Sequence, residues 1–122
     1  MHQLPQSLIV IDDEPILAMM ISDLVSELGW TVDGSAHSEA EGFKVLAECH
    51  PGLALLDINL GLTTSLAIAA TCRDRNIPIV FMTGYTARDV PSQCGDAPIL
   101  TKPFSEGELQ RAIERALFKA TV

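Results

Sequence analysis

The sequence is poor in three things: paired cysteines, cationic side chains and long apolar runs. Cys49, Cys72 and Cys94 are odd in number, far apart and not in a Cys-x-x-Cys spacing. That argues against a disulfide framework or a zinc site and makes a reducing cytoplasm the expected compartment. Eight Lys and Arg stand against sixteen Asp and Glu, a formal net charge of -8. Proteins that grip nucleic acid neutralise phosphates with clustered cations, so direct nucleic-acid binding is not expected, nor is docking on anionic membrane. No apolar run approaches the length of a membrane span. The opening residues, Met1-His2-Gln3-Leu4-Pro5-Gln6, lack the basic stretch and apolar core of a signal peptide. Repeats, low-complexity segments and linkers are missing too, so residues 1–122 are expected to form one domain.

What is present is an ordinary globular balance, with 48% hydrophobic and 20% charged residues. Three compact apolar runs stand out: Leu8-Ile9-Val10-Ile11, Leu53-Ala54-Leu55-Leu56 and Ile77-Pro78-Ile79-Val80-Phe81-Met82. Runs that are continuous rather than alternating suit parallel strands covered on both faces. Two weaker strands are expected at Trp30-Thr31-Val32-Asp33 and Pro98-Ile99-Leu100-Thr101.

Helical patterns lie between them. Pro15 fits a first helical position, Ile16, Leu17, Met20, Leu24 and Leu28 follow at helical spacing, and Gly29 is the stop. Ser38 with Glu41 reads as a capping box for a helix to about Glu48, and Ser105 with Glu108 repeats the signature before Leu109, Ile113, Ala116 and Leu117. Another helix is expected from about Thr64 to Arg75. Between Met82 and Pro98 the rhythm breaks; Pro91 limits any fourth helix there to a short or irregular turn. The alternation of strand and helix predicts a doubly wound, five-stranded parallel α/β sheet with right-handed crossovers.

In such a sheet, sites form beyond the carboxyl ends of the strands. Asp12-Asp13-Glu14 ends the first predicted strand, Asp57 the third, Thr83-Gly84 the fourth and Lys102-Pro103 the fifth. Converging carboxylates repel unless a cation neutralises them, and oxygen-only ligands with open positions suit Mg²⁺. A carboxylate can also act as a nucleophile toward phosphorus, while an ammonium and a hydroxyl stabilise the transferred oxygens. Singly, Asp57 could be a turn residue, Thr83 a cap and Lys102 a solvated lysine; at successive strand ends they form one constellation. Glu14 is accounted for by the preference of acids for helix N-termini and is left out of the site. His2, His37 and His50 are scattered and read as surface residues, and the Met residues with Phe43, Phe104 and Phe118 as core or interface fillers. Trp30 reads as structural.

The order Asp-Asp, Asp, Thr, Lys-Pro resembles the receiver domain of two-component response regulators over essentially the whole chain. The resemblance implies a flavodoxin-like strand order 2-1-3-4-5 and a Mg²⁺-dependent phosphoacceptor. It implies that Asp13 and Asp57 are direct Mg²⁺ ligands, Asp12 a ligand through water and the Asn59 backbone carbonyl the remaining protein ligand. Asp57 then accepts the phosphoryl group, which Thr83 and Lys102 contact, and the Lys102–Pro103 bond is cis. The implied partners are a sensor histidine kinase or a histidine phosphotransfer protein, and a downstream protein. Such a domain is not an enzyme of steady turnover; it catalyses only its own phosphorylation and dephosphorylation, switching partner binding or serving as a relay or sink for phosphate.

Pro78-Ile79-Val80-Phe81-Met82-Thr83-Gly84-Tyr85 is further similar to the signature of the FAT-GUY receivers, as is Asp57-Ile58-Asn59-Leu60-Gly61. Ile79 and Met82 depart from that signature. The subgroup is often paired with kinases of the HWE class. Ile99 stands where most receivers have Tyr or Phe, which leaves the usual coupling of hydroxyl to aromatic without its aromatic; Tyr85 is the substitute candidate.

Three rivals share parts of this pattern. Phosphatases of the haloacid-dehalogenase type need a second Asp two residues after the nucleophile, where this chain has Asn59, and a nucleophile that ordinarily ends the first strand. A non-phosphorylated pseudo-receiver would lack acidic or lysine positions that are all filled here. A flavodoxin-like FMN site would need a Ser/Thr/Gly phosphate cradle after the first strand, which is missing.

Overall fold

A computed structural model describes residues 6–84 and 90–121, with side chains as far as residue 119. Five strands form one parallel sheet: β1 (Ser7–Ile11), β2 (Thr31–Ala36), β3 (Leu53–Asp57), β6 (Ile79–Thr83) and β7 (Ile99–Thr101). Their spatial order is β2-β1-β3-β6-β7, which is 2-1-3-4-5 when the sheet's own strands are counted. Among the described residues there are four α-helices: α1 (Pro15–Glu27), α2 (Glu39–Glu48), α3 (Leu66–Asp74) and α4 (Glu106–Thr121).

The continuous apolar runs are explained by burial on both faces. Leu8 and Val10 of β1 point with Leu53, Leu55, Val80 and Met82 into a layer closed by Ala18, Ile21 and Val25 of α1 and by Leu109, Ile113 and Ala116 of α4. Ile9 and Ile11 point the other way, with Ala54, Leu56, Ile79 and Phe81, toward Leu46 of α2 and Ile68, Ala69 and Cys72 of α3. Side chains alternate across a strand, so a strand with helices on both sides needs apolar residues at every position.

Helix ends follow the local chemistry. Pro15 occupies the first turn of α1, and Gly29 takes φ +96 just beyond its end, a conformation that costs a glycine little. Ser38 Oγ accepts the Glu41 N–H at 3.2 Å. The Ser105 box closes reciprocally: its Oγ accepts Glu108 N–H at 3.1 Å and its N–H donates to Glu108 Oε1 at 2.9 Å.

The structure departs from the sequence expectations in four places. β2 runs on through Gly34, Ser35 and Ala36, with an irregularity opposite Leu8 and Ile9. It is an edge strand, half exposed, so its polar residues hid it. A small antiparallel hairpin, β4 (Asn59–Leu60) with β5 (Thr63–Thr64), follows β3. Gly61 opens its two-residue turn at φ +80, the left-handed start that matches strand twist. The hairpin uses Thr63 and Thr64, so α3 starts at Leu66 rather than Thr64. Before β6, Pro78 has no N–H to give, and the strand begins at Ile79. Between β6 and β7, where a short or irregular fourth helix is expected, the described residues hold a 3-10 turn at Ser92–Cys94; Tyr85, with residues 86–89, lies outside the described residues.

Of the aromatic and methionine fillers, Met82 is buried and Phe104 packs on the core, whereas Met19, Met20 and Phe118 are exposed. Phe43 sits at the boundary, 37% exposed. Trp30 is buried among the core residues.

Candidate functional site

Each strand of the central sheet hands over to a polar residue at its carboxyl end. Asp12 follows β1 and extends its ladder, its N–H donating to Ala36 O at 3.0 Å. Its Oδ1 accepts the Glu14 N–H at 2.9 Å, turning the chain into α1. Asp57 is the last residue of β3, and Thr83 the last of β6. The Lys102 N–H donates to Thr83 O at 2.8 Å, bringing the end of β7 beside that of β6. The Lys102–Pro103 peptide is cis.

The lysine crosses the sheet end. Its Nζ lies 3.0 Å from Asp12 Oδ2 and 2.9 Å from Asp57 Oδ2, so one ammonium holds two buried carboxylates. Asp12 is 0% exposed and Asp57 6%. Asp13 is more open to solvent, and one carboxylate oxygen from each of Asp12, Asp13 and Asp57 lies within 4.8 Å of the others. Thr83 is buried at the end of β6, one residue past the Met82 that pairs with Asp57, and Asn59 stands half-buried in β4, two residues past Asp57.

The electrostatics are unbalanced. Burial pushes Asp57 up to about 6; the Lys102 hydrogen bond opposes it, and the neighbouring Asp12 charge adds to it. Burial works to lower the pKa of Lys102, but its bonds to Asp57 and Asp12 outweigh that and hold it above its ordinary value. Three carboxylates facing one ammonium leave net negative charge in a poorly solvated corner. Such a donor set, all oxygen and in excess of its counter-charge, fits a small hard dication such as Mg²⁺ or Ca²⁺.

The structure therefore brings together four of the residues singled out from sequence, Asp12, Asp13, Asp57 and Lys102, with Thr83 adjoining through the backbone. Two further residues reach the site without having been singled out. Glu14, set aside as a helix-start acid, approaches Lys102 Nζ to 3.9 Å. His37, read as a surface residue, is half-buried, and its Nδ1 lies 3.0 Å from the Asp12 carbonyl oxygen. Nothing in the local sequence signalled that contact, because it depends on β2 ending beside β1. His50 is exposed as expected, and His2 lies outside the described residues.

Comparison with known proteins agrees with this arrangement. The model of the response regulator receiver domain matches residues 8–114. The phyllosphere-induced regulator PhyR of Methylorubrum extorquens is 33% identical over 115 residues, covering 91% of this chain and 43% of that protein. The transcriptional regulatory protein PdtaR of Mycobacterium tuberculosis is 30% identical over 118 residues, covering 93% of this chain and 57% of its own. The chain thus spans about half the length of these curated relatives. The solution structure of SdrG from Sphingomonas melonis Fr1 superposes with a TM-score of 0.80 at 35% identity, covering 97% of this chain and 99% of that one. Neighbours of the PhyR and SdrG type are consistent with the FAT-GUY resemblance. With a family model spanning most of its length and a matching fold, the chain belongs to the response regulator receiver domain family.

Proposed function

We propose that this domain accepts a phosphoryl group on Asp57 from a phosphohistidine, using a divalent cation, Mg²⁺ by donor chemistry, held by Asp12, Asp13, Asp57 and the Asn59 carbonyl. The observation that carries the reading is the Lys102 ammonium shared between Asp12 and Asp57 at 3.0 and 2.9 Å. A lysine so held is aimed at the place where a phosphoryl group on Asp57 would put its oxygens.

When bound, the cation would neutralise the acidic cluster and the charge on the phosphoryl oxygens. The remaining chemistry falls to the chain. An Asp57 oxygen attacks phosphorus, the P–N bond to the donor imidazole breaks, and its electron pair returns to the ring nitrogen. Lys102 and the Thr83 hydroxyl donate to the transferred oxygens. Water attacking the aspartyl phosphate reverses the modification and restores the carboxylate. The domain acts on itself and has no small-molecule turnover. The donor is a sensor histidine kinase, of the HWE class on the subgroup resemblance, or a histidine phosphotransfer protein. The output is altered binding of a downstream protein, or the drawing-off of phosphate in a relay.

Incubation with acetyl phosphate and Mg²⁺ followed by intact-mass measurement tests this. A single phosphoryl adduct is expected, lost in Asp57→Ala and without Mg²⁺. An adduct that survives in Asp57→Ala would put the acceptor elsewhere, and no adduct together with no BeF₃⁻ binding would leave a non-phosphorylated interaction module.

A further inference from the structure

Every polar atom of Asp12 is engaged. Its N–H donates to Ala36 O, Oδ1 accepts from Glu14 N–H, and Oδ2 accepts from Lys102. That leaves the carbonyl, which faces His37 Nδ1 at 3.0 Å. A carbonyl oxygen only accepts, so the imidazole must carry a hydrogen on Nδ1 and donate it. This carbonyl belongs to the peptide joining Asp12 to Asp13. Because a peptide is planar, fixing its oxygen fixes the direction in which the chain leaves toward Asp13.

His37 is itself held at a fixed place. Its backbone N–H donates to Glu41 Oε1 at 2.9 Å, and the Glu41 N–H donates to Ser38 Oγ at 3.2 Å. The ring thus projects from the junction of β2 with the capped start of α2, and spans from there to the end of β1. Ala36, the residue before it, already receives the Asp12 N–H. The two sides of the Asp12 backbone are therefore gripped by consecutive residues, one through its carbonyl and one through its imidazole.

We infer that His37 is a positioning residue for the acidic site, holding the Asp12–Asp13 peptide so that the two carboxylates stay within reach of Asp57. The inference rests on the cation-binding reading proposed above. Asp12 keeps Lys102 and Glu14 when the imidazole is lost, so the weakened arm is Asp13, whose carboxylate has no hydrogen-bond anchor comparable to these among the described contacts.

Two variants and one spectrum test it. His37→Leu keeps apolar bulk and removes the donor; His37→Asn places an N–H donor at the corresponding atom; wild type is the reference. Titrating Mg²⁺ alone and following amide shifts, His37→Leu is expected to weaken binding about 3- to 10-fold and His37→Asn to stay within about twofold of wild type. Phosphoryl uptake from acetyl phosphate should fall in His37→Leu at low Mg²⁺ and recover at saturation, a split that general loss of folding would not give. In metal-free wild type, long-range ¹H–¹⁵N correlation should show the ring with its hydrogen on Nδ1. A hydrogen on Nε2 alone, wild-type Mg²⁺ affinity in a folded His37→Leu, or His37→Asn as weak as His37→Leu would each overturn the inference. If His37→Leu does not fold, the Asn variant and the tautomer decide. A wild type that binds no Mg²⁺ overturns the cation site itself and the inference with it; wild-type binding with unaltered variants overturns the inference alone.

Discussion

The two ends of the sheet spend their cations in opposite ways. At the amino ends of the strands, Arg75 donates to the carbonyls of Leu46 and Cys49 at 2.6 and 2.8 Å, stitching the end of α2 to the loop after α3. Arg73 donates to the carbonyls of Gln93 and Cys94 at 3.0 and 3.1 Å and secures the turn before β7. Guanidinium forks suit such neutral, fixed acceptors, and among the described residues no carboxylate is drawn into the interior to meet them. At the carboxyl ends, Lys102 meets two buried carboxylates with a third nearby, and charge is left unbalanced. One end is satisfied as it stands, while the other carries the oxygen donors of the cation site proposed above. That difference separates scaffold from site more sharply than depth of burial does, since both ends are partly shielded.

Removing Lys102 should break the comparison most severely. In metal-free protein, Lys102→Ala leaves Asp12 and Asp57 facing each other without a counter-charge, and a loss of about 3 kcal/mol is expected by urea unfolding. Phosphoryl uptake should fall by about 100-fold or more even at saturating Mg²⁺, because a charge aimed at the transferred oxygens is gone. A variant as stable and as active as wild type would show that the ammonium is incidental.

Arg75→Ala sharpens the contrast from the other end. It removes two charge-assisted bonds to half-buried carbonyls, and a loss of about 2 kcal/mol is expected, with the rate of phosphoryl uptake per folded molecule unchanged. A fall in uptake would mean that the two ends are coupled through α3.

The smallest effect is a pH dependence. The folded protein holds a proton on Asp57 up to about 6, against an ordinary value of 3.8. A carboxyl whose pKa is raised by folding favours the fold when protonated. Its contribution is complete below pH about 4 and is lost as pH rises through about 6. In EDTA, the stability of wild type relative to Asp57→Asn should decline as pH rises across that window, and added Mg²⁺ should remove the decline. A flat difference between the two proteins would show that Lys102 alone neutralises the pair.

The hydrophobic pattern made most of the fold legible. The runs at 8–11, 53–56 and 77–82 could be read as strands because burial on both faces leaves no polar alternation, and capping boxes at Ser38 and Ser105 marked two helix starts within a residue. The hairpin at 59–64 and the far half of β2 were not legible, because short or exposed strands carry no apolar run to announce them. The candidate site was readable as a set of chemically apt residues at strand ends, and its roles as a resemblance to a family.

By itself the sequence determined which segments are apolar enough to be central strands, where helices are capped, and that the polar residues capable of phosphoryl and cation chemistry fall where strands stop. These are properties of neighbours along the chain, set by side-chain period and local hydrogen bonding. Only the tertiary structure decided that Lys102 reaches residues 90 and 45 positions away rather than solvent, that Glu14 stands at its edge, and that His37 turns inward to the Asp12 carbonyl. Parallel strands must cross over through a helix before they meet, so residues that touch at their carboxyl ends are far apart in sequence. Their contacts are fixed by strand order and register, and no local pattern encodes them.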